Sequence, residues 1–579
     1  MVLRIGSFIA IAAVAHAVTA TPITVDLGYA SYSGVHNATT GLNVWKGIRY
    51  AKPPVGRLRW QAPQSIESSN SPSRNASQTP VLADRFGPAC PQSLSQYPRT
   101  TPEFTPGNED CLFLNVYAPA NTNGSLLPVL VWIHGGGYGQ GDGTQDMSGL
   151  LTATAHAHPI VAVSIQYRLG AFGFLASKEI RRRGQLNAGL LDQRVALEWV
   201  QRHIAAFGGD KAKVTLSGES AGAGSVLLHT VAANEAGGAD AQPLFQNIWT
   251  ASSWIPTQPR FDSAVPERHY ADFVSAAGCN ASADAFACLV AQDSLTLQKA
   301  SNLVSSTPPT PIGNWAFVPV TDGQLLTAPP SALLLGGAGA GAGANESRTQ
   351  LHGVNAFVGN NADEGVLLVP SNLHTEADLR TWLQAYLQEL GPDDIDTILA
   401  KYAPANGGTS VATSVQQRAY NLYAEVAVVC PSYWLSTAFS NNSTTTSRSS
   451  YHYQYSVPFA AHGADLAAYW GPATPNLGPE FVQAFRESIV AFVATGNPSI
   501  PLAVANGASS ANKTAPNTAA HWPSWAAPHG GHTLVNLNQT TSSSLAPVNQ
   551  FSAEDADAWE GGRGERCAFW QQLGAKIPE

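Results

Sequence analysis

Five residues set the strongest limit on what this chain can fold into. Gly218-Glu219-Ser220-Ala221-Gly222 follows the apolar run Val214-Thr215-Leu216 and precedes a stretch of small residues. A serine with glycine two places before and two places after suits a sharp, strained turn from a buried strand into a helix. The glycines avoid backbone clashes, the serine oxygen projects above the sheet, and the helix N-terminus brings N–H groups close to it. The five-residue pattern alone recurs by chance, so its context matters. Here the strand stands before it and a helix from Ala221 after it.

A second glycine cluster stands in a matching place. His134-Gly135-Gly136-Gly137-Tyr138 comes directly after Val129 to Ile133, a short β-branched and apolar run. Glycines there let the backbone approach a bound group and turn its N–H groups toward a developing oxyanion. A plain glycine turn has the same composition, but the order of strand, then HGGG, is the oxyanion arrangement of esterases and lipases. Ile160 to Ile165 reads as another strand buried on both faces, and Leu191 to Ile204 as a helix ending at Phe207-Gly208-Gly209. Strands alternating with helices predict an α/β fold with a mostly parallel sheet. Gly336–Ala344, Ser440–Ser450 and Ala505–Ala520 lack the composition to bury a face and read as loops.

The chain has 579 residues, 44% hydrophobic and only 12% charged, with a formal net charge of -9. That balance suits a large core and gives no footing for nucleic acid or anionic membranes. Met1–Arg4 is basic, Ile5–Val14 is apolar, and Ala15-His16-Ala17 and Val18-Thr19-Ala20 offer small-residue cleavage sites. This is the layout of a secretory signal peptide over residues 1–20, leaving 21–579 as one catalytic unit. No later stretch has transmembrane length, and no C-terminal anchor tail is expected.

Six cysteines and no CxxC pair point away from metal knuckles and dithiol redox chemistry. Short loops make Cys90–Cys111 and Cys279–Cys288 natural disulfides, leaving Cys430 with Cys567, out of about 15 arithmetically permitted connectivities. Sequons stand at Asn37, Asn75, Asn123, Asn280, Asn345, Asn441, Asn442, Asn512 and Asn538, most of them in Ser/Thr/Gly-rich stretches suited to glycosylation in an exported protein.

Glu109-Asp110-Cys111-Leu112-Phe113-Leu114-Asn115-Val116-Tyr117 resembles the signature segment of the type-B carboxylesterase family, which includes cholinesterases and several microbial lipases. Gly47-Ile48-Arg49-Tyr50-Ala51, Pro53-Pro54-Val55-Gly56-Arg57, Tyr167-Arg168-Leu169-Gly170 and Gly189-Leu190-Leu191-Asp192-Gln193 are similar to further blocks of that family. The likeness runs from about Val25 to Cys567-Ala568-Phe569-Trp570 and is densest before residue 230. It implies the α/β-hydrolase fold, a central sheet flanked by helices in one large catalytic domain.

A serine nucleophile needs a base, and the base an orienting carboxylate; in this fold they follow in the order serine, acid, histidine. Asn361-Ala362-Asp363-Glu364-Gly365 resembles the family's acid loop, which implies Glu364 as the acid. Asp363 remains its rival, since either carboxylate accepts from an imidazole. Phe459-Ala460-Ala461-His462-Gly463-Ala464-Asp465-Leu466 resembles the histidine loop and implies His462 as the base. His134 is expected to shape its loop, and His156 and His158 have no third ligand to suggest a metal. The resemblance also implies the N–H groups of Gly136, Gly137 and Ala221 as oxyanion donors, although adjacent glycines can exchange roles. Glu219 either lines the pocket floor or supports the nucleophile turn by hydrogen bonding, and Trp254 is a candidate acyl-pocket wall.

These residues imply acyl transfer from a small-molecule ester through an acyl-enzyme, with no cofactor. Nothing in the sequence sets the oligomeric state. Three rivals stand beside a carboxylesterase of small to medium uncharged esters. A non-catalytic, adhesion-type member is expected to lose a triad residue, and all three are present here. A cholinesterase would carry a choline-binding tryptophan in the segment matching 90–111, which here has Tyr97 and Phe104 but no Trp. A lipase would use that segment as an amphipathic lid, and Pro91, Pro98, Pro102 and Pro106 oppose a continuous helix there.

Overall fold

The computed structural model describes residues 23–67, 79–96, 104–121, 124–154, 157–233, 243–335, 351–403, 412–440, 447–528, 530–540, 547–574 and 576. The expected leader, the sequons at Asn75, Asn123, Asn345, Asn441 and Asn442, the Gly336–Ala344 tract, His156 and Tyr97 lie outside them. In chain order the strands are β1 (Ile23–Asp26), β2 (Ser31–Asn37), β3 (Leu42–Arg49), β4 (Val81–Leu82), β5 (Phe113–Pro119), β6 (Leu127–Ile133) and β7 (Val161–Ile165). They continue as β8 (Gly209–Glu219), β9 (Asn247–Ala251), β10 (Asn355–Asn361), β11 (Ser449–Tyr455), β12 (Thr533–Gln539) and β13 (Asn549–Asp555). All join one sheet in the order β1-β2-β3-β5-β7-β6-β8-β9-β10-β11-β12-β13, with β4 beside β2.

Pairing is parallel from β7 across to β12 and antiparallel at both margins, save that the short β4 pairs parallel with β2. The reason is visible in β6. Val129, Val131 and Ile133 enter one apolar cluster, while Leu130 and Trp132 enter another. Successive side chains point to opposite faces, so a strand apolar at every position requires cover on both. That cover is helical. The helix Ala188–His203 places Leu190 and Trp199 in the first cluster, and the helix Pro479–Thr495 places Phe481, Phe485 and Phe492 in the second. This is the α/β-hydrolase architecture.

The central expectations agree with the structure, with β8 longer than Val214–Leu216 alone. Its first residue, Gly209, already pairs with Leu127, and Gly208 at φ 84° is the residue that breaks the preceding turn. Two of the expected loops are corrected. Ser449 and Ser450 belong to β11, and Ser440 closes the helix Cys430–Ser440. Ala505 and Ala519 are core residues, because Asn506 and Asn517 hold the intervening turns: their side-chain amides donate to the carbonyls of Lys513, Ala515 and Ala505. Low hydrophobicity conceals burial when small side chains are packed by polar anchors.

Cys90–Cys111, Cys279–Cys288 and Cys430–Cys567 are disulfide-bonded. Two of the blocks quoted above meet in a buried ion pair: Arg168 donates to both carboxylate oxygens of Asp192, each at 2.8 Å. A bidentate guanidinium–carboxylate pair ties the loop after β7 to the helix behind it, and loss of either partner leaves a buried charge uncompensated. Among the described residues no helix is long and apolar enough to cross a membrane, and no group of three or more His, Cys, Asp or Glu side chains could hold a metal ion.

Candidate active site

The site lies where the parallel strands end at their carboxyl edges, the usual place for function in such sheets. β8 passes into Ser220, which has φ 57° and ψ −126° at the start of the helix Ala221–Val231. A non-glycine residue held there stores on the order of 1–3 kcal/mol of strain. The flanking glycines make the turn feasible. A Cβ on Gly218 would lie 2.4 Å from the Gly222 carbonyl carbon, and one on Gly222 would lie 2.1 Å from the Ile133 oxygen. The turn is pinned from β9: the Ser220 N–H donates to the Ala251 carbonyl at 3.0 Å, and the Trp254 N–H to the Ser220 carbonyl at 3.2 Å.

β10 and β11 deliver the acid and histidine loops. His462 Nε2 lies 2.8 Å from Ser220 Oγ, and His462 Nδ1 lies 2.5 Å from Glu364 Oε2. With the proton on Nδ1, the imidazole donates to the carboxylate and accepts from the serine hydroxyl. Glu364 has no exposed surface, and its second oxygen accepts from Ser252 Oγ and from the Asn361 N–H, each at 2.6 Å. Asp363 is exposed instead. Its N–H donates to the Ala460 carbonyl, bridging the acid loop to the histidine loop, and its carboxylate takes no part in these contacts.

Three acidic side chains surround this imidazole. Glu219 is buried, with Oε1 3.6 Å from His462 Nε2. Gly135 and Gly463 border its carboxyl, since a Cβ at these positions would lie 2.9 and 3.5 Å from its oxygens. Burial, against the attraction of His462, pushes the Glu219 carboxyl up to about 8. Asp465 is also buried and accepts from the Asn361 side chain at 3.1 Å; burial raises it to about 6. Burial pulls His462 down, but the adjacent Glu364 carboxylate, with Glu219 and Asp465, outweighs it and raises the imidazole to about 9.

The second glycine cluster stands across from the serine. Gly136 and Gly137 have φ of 100° and 63°, and no hydrogen bond among the described residues engages either N–H. Ala221 is the first residue of its helix, so its N–H has no intrahelical acceptor. His134 stacks on Tyr167 with ring centroids 4.5 Å apart, and burial lowers its pKa, so it shapes the loop as a neutral ring. Trp254 is 1% exposed, with its indole N–H on Tyr423 OH and its ring edge-on to Trp315 at 5.5 Å.

Trp315, Ser252, Asn361 and Asp465 were not singled out in the sequence. Half-buried Trp315 lies over this glycine cluster: a Cβ on Gly137 would stand 2.1 Å from its ring. Its indole N–H donates to the Ser93 carbonyl at 3.1 Å. The same tryptophan borders a cleft shared with Phe174, Phe317, Val320, Tyr386 and Leu387. Ser252 at φ 57° repeats the conformational signature of a constrained residue, a property that no sequence pattern carries.

Of the described sequons, Asn37, Asn280 and Asn512 are exposed, and Asn538 is half-buried within β12. Between Cys90 and Cys111 the described residues form no helix, Phe104 is half-buried, and residues 97–103 lie outside the description.

Comparison with known proteins matches residues 23–559 to the carboxylesterase family. The chain is 32% identical to "Secreted lipase 1" of Botryotinia fuckeliana, over 89% of each chain. It is 30% identical to "Carboxylesterase patB" of Penicillium expansum, over 82% of this chain and 88% of that one. The crystal structure of Aspergillus niger EstA superposes with a TM-score of 0.73 at 28% identity, covering 96% of this chain and 99% of that one.

Proposed function

The chain belongs to the carboxylesterase family, and from that premise we propose a secreted serine hydrolase of small to medium, uncharged carboxylic esters. The observation that carries the reading is the relay from Ser220 through His462 to Glu364, with contacts of 2.8 and 2.5 Å. Ser220 Oγ attacks the ester carbonyl while His462 Nε2 takes its proton, and Glu364 holds the imidazole with Nδ1 protonated. The N–H groups of Gly136, Gly137 and Ala221 stabilise the tetrahedral oxyanion, each worth about 3–4 kcal/mol by analogy with other acyl-transfer sites. The alcohol leaves with the proton from His462, and water releases the acyl group by the same steps reversed. The residues need no cofactor for this chemistry.

The three disulfides and relatives named as secreted support export, and the exposed Asn37, Asn280 and Asn512 suit glycosylation. In this reading Trp315, backed by Trp254, walls the acyl side of the site and favours short and medium acyl chains. A fluorophosphonate probe is expected to label Ser220 alone. Ser220→Ala should lose both label and turnover, and labelling of another serine in the folded variant would sink the assignment.

A second reading, a lipase of longer acylglycerols, is favoured by the names of several relatives. The four prolines between Cys90 and Cys111 oppose a moving amphipathic lid. The esterase reading therefore expects ordinary saturation on soluble esters. A steep rise in rate as the substrate passes its solubility limit, with long-chain triglyceride preferred, would move the protein among the lipases and leave the triad untouched.

A further inference from the structure

One residue beside the site is placed at a double cost. Phe459 is 88% exposed and has φ 67°, the left-handed region that bulky side chains avoid. The conformation is held from both sides. The Pro458 carbonyl accepts from the Asn476 side chain at 3.0 Å, and the Ala460 carbonyl accepts from the Asp363 N–H at 2.8 Å. The Ala461 N–H closes on the Phe459 carbonyl at 2.7 Å. A strained, over-determined backbone that holds an aromatic ring in water is a reason to look for what the ring meets.

We propose that Phe459 is a specificity residue for the alcohol portion of the substrate, selecting esters whose leaving group is bulky, apolar and uncharged. The proposal rests on the hydrolase reading above. In that reading His462 Nε2 passes its proton to the departing alcohol oxygen, so the alcohol group lies nearest the loop that carries His462. Phe459 stands three residues before His462 on that loop. The facing acid loop adds exposed Val366 and Leu367 two and three residues beyond Glu364. Neither 457–466 nor 361–369 contains a lysine or arginine, and Asp363 is the exposed charge between them, so these two segments offer an anionic alcohol group no exposed Lys or Arg cation. An apolar group laid against the ring removes both surfaces from water, and an aromatic one adds ring-to-ring contact.

The test holds the acyl group constant as butyrate and varies the alcohol through methyl, ethyl, cyclohexylmethyl and benzyl. Phe459→Gly relieves the backbone strain and removes the ring, so the fold is kept; Phe459→Leu keeps apolar bulk. In Phe459→Gly, kcat/KM for the benzyl and cyclohexylmethyl esters should fall about 10-fold through KM, with methyl and ethyl esters changed less than about 2-fold. Phe459→Leu should restore most of the cyclohexylmethyl activity. An equal loss on all four esters would mean the ring only positions the histidine loop, and no loss on any would mean that it meets no substrate. A loss confined to substrate above its solubility limit would indicate contact with an oil surface. Each of these three results overturns the proposal. Wild-type protein that neither takes the fluorophosphonate label nor hydrolyses any ester would instead sink the hydrolase reading itself.

Discussion

Replacing Glu364 by glutamine tests the relay at its buried end. The substitution keeps the volume, and the remaining amide oxygen can still accept from Ser252 Oγ and the Asn361 N–H, which now sit 2.6 Å from one carboxylate oxygen. What changes is the group facing His462 Nδ1 at 2.5 Å. An amide N–H there donates, so Nδ1 must accept, and the ring proton moves to Nε2, where it meets Ser220 Oγ. A protonated Nε2 cannot take the serine proton. The inverted tautomer predicts a loss in kcat of about 10⁴, or about 5.5 kcal/mol of transition-state stabilisation, the scale seen when an acid of this kind is made an amide elsewhere. Asp363→Asn alters only an exposed side chain and should stay within about 3-fold. Steady-state kinetics on a soluble butyrate ester, with circular dichroism and melting temperature to confirm the fold, read both variants. Glu364→Gln within 10-fold of wild type, or Asp363→Asn as the more damaging change, would refute the reasoning.

Two further outcomes follow from the same structure. Because His462 is raised to about 9, its neutral form grows as pH rises, so kcat/KM should climb through an alkaline limb with its midpoint above 6.5. A limb centred below 6.5 would contradict the direction of that shift, and Glu364→Gln should move the midpoint downward. The disulfides should rank by the chain they close: removing Cys430–Cys567, 137 residues apart, should cost about 5 kcal/mol, and removing Cys279–Cys288, 9 apart, about 2.5 kcal/mol. Denaturant unfolding of the paired serine variants measures both.

The parts legible in the sequence share one property: they constrain the backbone. Gly218 and Gly222 are demanded by contacts of 2.4 and 2.1 Å that any side chain would violate, so the turn leaves its mark as glycine spacing. β6 and β7 show as short, largely apolar and β-branched runs because both faces are covered. Glu364 and His462 leave no periodic mark, and only resemblance to a family located them. The roles of Ser252 and Asn361 leave no mark in the sequence, since Ser252 meets Glu364 across 112 residues and Asn361 meets Asp465 across 104. The antiparallel margin is silent in the sequence for another reason: Ser31–Asn37 carries too few apolar residues to stand out, and it is a strand because β1 and β3 pair with it.

The acids around His462 bear on how the proposed chemistry divides its cost. One imidazolium balances one carboxylate, yet Glu364, Glu219 and Asp465 all converge on it with little exposure to water. Burial opposes this by disfavouring the Glu219 anion, which holds its carboxyl up at about 8. Glu364 foremost, with Glu219 and Asp465, still outweighs the burial of His462 and lifts it from 6.5 to about 9, a bias toward imidazolium of about 3 kcal/mol. That bias acts on the moment when Nε2 holds the serine proton and the oxyanion has formed, because the positive ring then exists among groups already oriented toward it. The opposing effect falls on the resting state, where the same field withholds the neutral base at low pH. A site arranged this way gains stabilisation of its charged intermediate and gives up activity under acid conditions, so the alkaline limb and the strength of the relay are two consequences of one arrangement of buried charge.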